Sequence, residues 1–79
     1  MNKMREKYNS IFIDLLAVSN EDLSDLKYQG SPSWDSIGHM QLISRIEDEF
    51  DLMFETVDII DFSSYEKGIE ILKKYNVEL

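Results

Sequence analysis

Apolar side chains recur every three or four residues over the first part of the chain, which is the spacing of a helix with one buried face. The residues that share this stripe are Met4, Tyr8, Ile11, Phe12, Leu15 and Leu16. They predict a first helix from about residue 2 to residue 18. Over residues 19–33 the periodicity stops, and a composition rich in Ser, Asn, Asp, Gly and Pro predicts one long structured connection. Leu23, Leu26 and Tyr28 would anchor it to the core.

A second helix is predicted in the middle of the chain. It begins at Asp35 or Ser36, because either side chain can cap the first backbone amides, and it continues to about Phe50. One arc of this helix must face the core, and it carries His39, Leu42, Ile43, Ile46 and Phe50. Trp34, just before the cap, would clamp the start of the helix by packing.

Two shorter patterns follow. Residues 56–60 predict a short helical turn that Thr56 could cap. The tetrapeptide Ser-Ser-Tyr-Glu at residues 63–66 matches a capping box and predicts the start of the last helix, whose buried face would consist of Tyr65, Gly68, Ile69, Leu72 and Tyr75. The chain shows no strand alternation and no internal repeat. We therefore predict an all-α fold in a single domain over residues 1–79, a small four-helix bundle of three main helices plus a short third one.

The composition is that of a small globular protein. With 43% hydrophobic and 30% charged residues, 79 residues suffice for one core but not for two. The chain has no Cys, so any thiol chemistry would have to come from a cofactor. The first residues lack a signal-peptide core, and no apolar run is long enough to span a bilayer. We expect a cytoplasmic monomer.

Negative charge is concentrated in the second half of the chain. The formal net charge is -8, and residues 44–66 hold eight carboxylates against the single base Arg45. Nucleic acid and membrane surfaces are poor partners for such a chain, because both are bound through clustered Lys and Arg. Proteins with basic surfaces are the natural complement, although an acidic surface can also serve solubility alone.

The outer arc of the second helix has apolar residues beside its first turn. It carries Ile37, Met40 and Ser44, flanked by Gln41, Glu47 and Asp48. An apolar pair rimmed by polar and acidic residues is typical of a partner-binding surface. Incidental exposure, or cover by the preceding loop, is the alternative.

Ser36 has two interpretations. At the start of a helix the backbone amides point outward and the macrodipole is positive, which suits a phosphate ester on the Ser36 hydroxyl. Alternatively Ser36, or Asp35 before it, is only an N-cap. From the dipeptide alone the N-cap is the preferred interpretation, and it is the longer stretch around it that favours the phosphate ester.

The stretch WDSIGHMQLI at residues 34–43, followed by IEDEF at residues 46–50, resembles the acyl carrier protein family. The hallmark of that family is Asp-Ser-Leu or Asp-Ser-Ile at the start of an acidic second helix that ends near Glu-Glu-Phe. Here Asp35-Ser36-Ile37 and Glu49-Phe50 stand at these places. The resemblance covers nearly the whole chain, including the long loop and the short third helix.

This resemblance implies that Ser36, preceded by Asp35, carries 4′-phosphopantetheine, which a magnesium-dependent phosphopantetheinyl transferase takes from coenzyme A. The terminal thiol of the arm would carry acyl or aminoacyl groups as thioesters, and the chain itself would have no catalytic or metal-binding residues. Acyl- or aminoacyl-loading ligases and acyl-processing enzymes would dock their basic rims against the outer arc of the second helix.

Three positions depart from the pattern of fatty-acid carriers. Gly38 and Gln41 stand where acidic residues are common, and Arg45 places a positive charge on the second helix. The motif WDSIGHM at residues 34–40 looks closer to those of specialised carriers of polyketide, nonribosomal peptide or surface-polysaccharide pathways. Whether an acyl group would lie in a slot among the helices or outside a solid core stays open. A solid core fits short or polar cargo better.

Two other functions stay open. A small acidic adaptor could bind a partner through Ile37 and Met40 without any cofactor, and Ser36 would then remain unmodified. An enzyme could pair Ser36 as nucleophile with His39, one turn later, as base. No orienting residue for that pair is evident, so a packing or hydrogen-bonding role for His39 is the preferred interpretation.

Overall fold

The two longest helices pack against each other and position the rest of the chain. In the computed structural model, which describes residues 3–79, α1 spans Lys3–Leu16 and α2 spans Ser36–Phe50. The shorter α3 spans Thr56–Asp61, and α4 spans Tyr65–Lys74. Residues 3–79 contain no β-strand, only an isolated antiparallel bridge between residues 27 and 64. This part of the chain is a small all-α globule, as predicted, and holds no helix with the length and apolar character needed to cross a membrane.

The predicted buried stripe of α1 is largely confirmed. Its buried members are Tyr8, Ile11, Phe12 and Leu16. Met4, however, is 38% exposed, and Leu15 is half-buried. The helix ends two residues before the predicted end, since Ala17 adopts a left-handed conformation with φ of 53°. The predicted start at residue 2 lies outside the described residues.

The predicted core-facing arc of α2 is confirmed as well. Leu42, Ile43 and Ile46 are buried, while His39 and Phe50 are half-buried. The helix ends where predicted, because Asp51 takes a left-handed conformation and its backbone N–H bonds to the carbonyl of Glu47.

The connection over residues 19–33 contains a helix that the sequence pattern did not predict. Asn20–Asp25 forms a short 3₁₀ helix, and Ser19 precedes it as the cap. The Asp22 carboxylate, within the helix, accepts hydrogen bonds from the backbone N–H and the hydroxyl of Ser19. A piece this short has no apolar period that could reveal it. Leu23 and Leu26 are buried and Tyr28 is half-buried, which confirms the predicted anchors.

The caps of α3 and α4 each lie one residue from the predicted position. Glu55 precedes α3 as its cap, so the prediction of Thr56 was wrong, and Thr56 is the first helical residue. Ser64 caps α4 in place of Ser63, and its hydroxyl accepts a hydrogen bond of 2.9 Å from the Lys67 N–H. Residue preference allows either serine as a cap, and the path of the chain selects between them.

The Tyr8 side chain of α1 and the Phe62 ring pack directly on α4 at Gly68, which is buried as predicted. A β-carbon at this position would overlap the Tyr8 hydroxyl oxygen and lie 2.7 Å from Phe62 Cε1. Both rings are completely buried, so neither has free space to move into. Of the remaining α4 face, Tyr65 and Leu72 are buried, Ile69 and Tyr75 are half-buried, and Ile71 is a further buried residue.

Helix α3 is attached to the end of α4 through a buried carboxylate. Asp58 is only 4% exposed, and it accepts hydrogen bonds from Lys74 Nζ at 2.5 Å and from the Tyr75 hydroxyl at 2.6 Å. The Tyr75 hydroxyl in turn accepts a bond from the Glu55 N–H at 2.8 Å. The hydrogen bond from Lys74, followed by that from Tyr75, holds the pKa of the Asp58 carboxyl below its usual value.

This lowered pKa predicts a contribution of Asp58 to acid sensitivity. Since the folded-state pKa lies below the unfolded one, the stabilisation is present above the unfolded value and disappears as the pH falls through the folded value, from about pH 5 downward. Asp58→Asn should therefore flatten the fall of the unfolding free energy between about pH 5 and pH 3, as measured by urea titration. Asp48→Asn, which alters an exposed carboxylate on α2, is the control. Equal pH slopes for wild type and Asp58→Asn would contradict the prediction.

Candidate functional site

At the first turn of α2, the Ser36 hydroxyl is not used to cap the helix. The sequence allowed Asp35 or Ser36 as the N-cap, and the structure assigns the cap to Asp35, whose Oδ1 accepts a hydrogen bond of 2.9 Å from the Gly38 N–H. Ser36 is the first helical residue, and it is exposed. Its hydroxyl makes no hydrogen bond with any residue of the described chain. It is therefore accessible to an incoming reagent.

The electrostatic setting of Ser36 favours an anion. Helix α2 has 15 residues, so its aligned peptide dipoles place a partial positive charge at the Ser36 end. The amides of Ser36 and Ile37 have no acceptor within the helix, because only later residues can bond four positions back. The Asp35 carboxylate satisfies the Gly38 amide and leaves these two directed outward. A phosphate on the Ser36 oxygen would meet both the amides and the dipole.

Gly38 is required by the close approach of the preceding loop. A β-carbon at Gly38 would overlap the backbone carbonyl oxygen of Ser33 and lie 3.1 Å from its carbonyl carbon. The sequence identified Gly38 as a departure from the acidic residue common in fatty-acid carriers. The structure supplies a reason, because any side chain here would push the loop away from the start of α2. The loop in turn positions Trp34, which is completely buried as predicted.

His39 connects the residue before the cap with α3. Its Nδ1 lies 2.9 Å from Trp34 Nε1 and its Nε2 lies 2.8 Å from the Ile59 carbonyl oxygen. The indole N–H can only donate, so Nδ1 must accept and Nε2 must carry the proton that is donated to Ile59. Neither ring nitrogen of this neutral tautomer can take a proton from the Ser36 hydroxyl. The pairing of Ser36 and His39 as nucleophile and base is disfavoured on this ground, and the hydrogen-bonding role preferred from the sequence fits the geometry.

Most of the predicted partner-binding residues meet in one place. Ile37 is 72% exposed and Met40 is 54% exposed. A shallow groove between α1 and α2 is lined by Ser36, Ile37, Met40, Gln41 and Ser44, together with Leu15 and Arg45. Arg45 makes only a long ion pair of 3.9 Å with Asp14, and both side chains are largely exposed. The apolar pair is thus on the surface beside Ser36, not under the preceding loop.

Two predicted docking residues lie outside this groove. Glu47 was expected to be part of an exposed rim, but it is half-buried, and its carboxylate accepts a hydrogen bond of 2.9 Å from the Phe54 N–H. This bond closes the turn after α2, so Glu47 has a structural role and is less exposed than expected, while its part in partner binding stays a prediction. Asp48 is exposed as expected, although it does not line the groove.

Helix α3 contributes apolar surface that the sequence did not predict. Val57 is 62% exposed and Ile60 is 74% exposed, whereas Asp58 between them is buried. Ile60 and Met40 line a second groove, of about 380 Å³, which also borders Ser36 and has His39 and Phe62 among its lining residues. The sequence pattern could not identify Val57 and Ile60 as exposed, because six residues are too few for the apolar periodicity to show which side of a helix faces inward.

The second half of α2 and the segment after it are acidic, although neither groove beside Ser36 is lined by a carboxylate of the described residues. Six of the eight carboxylates in residues 44–66 are exposed: Asp48, Glu49, Asp51, Glu55, Asp61 and Glu66. Among residues 3–79, no three acidic, His or Cys side chains are grouped as metal ligands would be. No protein-family model matches the chain, and no curated protein matches its sequence significantly, so any assignment of function rests on the Ser36 motif and its setting.

Proposed function

We propose that this chain is an acyl carrier protein that holds acyl or aminoacyl groups as thioesters on a 4′-phosphopantetheine arm attached to Ser36. The observation that carries the proposal is the exposed, unbonded Ser36 hydroxyl on the first residue of α2, with Asp35 taking the cap. If Ser36 were only a cap, its oxygen would accept a bond from an amide of the first turn. The helix order, with long helices 1, 2 and 4 and a short third, is consistent with a carrier bundle.

The residues around Ser36 fit the arm chemically. The Ser36 oxygen would displace the adenosine bisphosphate part of coenzyme A from the pantetheine-bearing phosphate, with the hydroxyl proton passing to the transferase. The amides of Ser36 and Ile37 would then stabilise the phosphodiester charge. The arm, once attached, supplies the thiol that the Cys-free chain lacks.

Partner recognition would use the same end of the molecule. Ile37, Met40 and Ile60 offer an exposed apolar surface on both sides of Ser36. The six exposed carboxylates of residues 44–66 would attract phosphopantetheinyl transferases and loading enzymes with basic docking surfaces to this half of the molecule. The apolar contacts would supply most of the affinity.

The experiment that tests this proposal is mass measurement after loading. Purified chain is incubated with coenzyme A, magnesium and a promiscuous phosphopantetheinyl transferase. We expect the mass to increase by one phosphopantetheine group. An acidic adaptor, which the same apolar surface would also suit, predicts no change. An unchanged mass with several such transferases would therefore overturn the carrier proposal and favour the adaptor.

The docking surface can be tested separately. Ile37→Glu and Met40→Glu should each slow loading at least about fivefold, because losing an interface anchor costs about 1 kcal/mol or more. Both residues are more than half exposed, so stability should change by no more than about 0.5 kcal/mol.

Met53→Glu is the matched control for these two variants. Met53 is 82% exposed but borders neither groove beside Ser36, so its loading rate should stay near that of the wild type. Equal slowing in Met53→Glu would show that added negative charge, and not lost docking, causes the effect. A large fall in melting temperature would show that Ile37 or Met40 supports the fold.

A further inference from the structure

Aromatic rings fill the space beneath Ser36. The groove between α2 and α3 is open to solvent at Met40 and Ile60, and its inner side meets His39 and Phe62. The His39 and Trp34 rings lie edge to edge in nearly one plane, joined by their 2.9 Å hydrogen bond, with centroids 6.2 Å apart and an interplanar angle of 15°. The other ring neighbours of His39 are Phe62, at 6.3 Å, and Tyr28, at 5.4 Å. Trp34 and Phe62 are both completely buried, so these rings separate the groove from the core.

Hydrogen bonds keep His39 in this position. The buried Trp34 N–H has the His39 Nδ1 as its acceptor, and the opposite ring nitrogen binds the Ile59 carbonyl. An alkyl chain entering past His39 would have to displace the ring. It would then leave the Trp34 N–H buried without an acceptor, since hydrocarbon has none to offer. Entry by this route is therefore opposed by a polar cost as well as by packing.

Phe62 cannot retreat to make room from the other side. Behind it, a single carbon added at Gly68 would overlap both the Phe62 ring and the Tyr8 hydroxyl. The Tyr8 hydroxyl is itself fixed by a 2.7 Å hydrogen bond to the Tyr65 carbonyl. Phe12 closes the remaining side, with its ring 5.6 Å from Trp34 and 6.3 Å from Phe62. Four packed rings, those of His39, Trp34, Phe62 and Phe12, thus lie between the groove beside Ser36 and the core.

We infer that the interior is closed to cargo, so that the chain presents its acyl group outside the helices. This inference rests on the proposed function, and it names the class of substrate: short acyl groups, or acyl groups bearing hydroxyl, amino or carboxylate substituents. A long alkyl chain on such a carrier would have only the solvent-open groove beside Ser36 to lie in, so part of it would remain in water, which is unfavourable for each methylene left exposed. A short or polar acyl group incurs little of that cost.

The test compares a short and a long thioester on the whole chain. A promiscuous transferase loads acetyl- or octanoyl-pantetheine from the corresponding acyl-coenzyme A, and mass measurement establishes loading. Hydroxylamine then cleaves each thioester at neutral pH. We expect the ratio of octanoyl to acetyl cleavage rates to match the ratio for the free acyl-coenzyme A compounds within about twofold. The melting temperatures of the two loaded forms should also agree. An octanoyl chain bound inside the folded protein would act as a ligand of the folded state and raise the melting temperature.

The outcomes separate this inference from the proposed function. Loading followed by cleavage of the octanoyl thioester at least about tenfold slower than expected, with a raised melting temperature, would overturn the closed interior alone. No added mass from either compound would overturn the carrier proposal itself. His39→Ala provides a second test. Removing the ring should open the interior to the alkyl chain, and so slow cleavage of the octanoyl thioester relative to wild type while leaving that of the acetyl thioester unchanged. If a folded His39→Ala variant releases octanoyl at the wild-type rate, His39 is not what closes the interior.

Discussion

Ser36→Ala should abolish attachment of phosphopantetheine completely, as measured by the mass of the chain after incubation with coenzyme A, magnesium and transferase. The expected loss is total because the Ser36 oxygen is the atom that would form the ester. No neighbouring hydroxyl shares its position at the start of α2, since Asp35 precedes it and Ile37 follows it. A mass increase that persists in Ser36→Ala would place the modification elsewhere and remove the basis of the proposal.

This variant should remain folded, which makes the loss interpretable. Ser36 is exposed and its hydroxyl is unbonded within the described chain, while the cap is supplied by Asp35. Alanine is also a better helix former than serine, by less than about 0.7 kcal/mol. We expect the unfolding free energy to stay within about 0.5 kcal/mol of the wild type. Ser33→Ala, which removes an exposed hydroxyl from the preceding loop, is the matched control and should load normally.

Gly38→Ala should destabilise the chain and slow its loading. Alanine normally stabilises a helix by about 1 kcal/mol relative to glycine. Here the added methyl group would overlap the Ser33 carbonyl oxygen, a backbone atom that no change of rotamer can move. Overpacking costs about 1–3 kcal/mol, and overlap with a backbone atom places this case at the upper end, so after the helix gain we expect a net loss of about 2 kcal/mol in urea titration.

The loading defect of Gly38→Ala has the same physical origin. Moving the loop at Ser33 would shift Trp34 and the Asp35 cap, and with them the exposed Ser36 hydroxyl. Ser44→Ala is the control for stability, because it changes an exposed residue of the same helix and should alter the unfolding free energy by no more than about 0.5 kcal/mol. If Gly38→Ala were as stable as the wild type, the close approach of the loop would not be what requires glycine there.

Local patterns were sufficient for the parts of the fold that extend over several helical turns. In α1 and α2 the apolar residues recur often enough to define one face, and that face is buried with few exceptions. The anchors Leu23 and Leu26 were predictable for a related reason, since leucines in an otherwise polar connection are stabilised by packing against the core. The position of Ser36 at the start of α2 also followed from local residue preferences.

The short elements were predicted less well. Helix α3 has six residues, and burial there is the reverse of what hydropathy suggests: Asp58 lies inside, while Val57 and Ile60 face water. Asp58 can be buried because Lys74 and Tyr75, 16 and 17 residues away in sequence, supply donors. A local pattern contains no information about partners at that distance.

The amino-acid sequence by itself determined the helical class, the long helices and the position of Asp35 and Ser36 at the start of α2, because each depends on neighbours within one or two turns. Only the tertiary structure decided that Glu47 closes a turn, that Gly38 receives the loop, and that His39 joins Trp34 to Ile59. These features depend on atoms brought together by packing. Several of them surround Ser36, and the proposed closure of the interior beneath it depends on them.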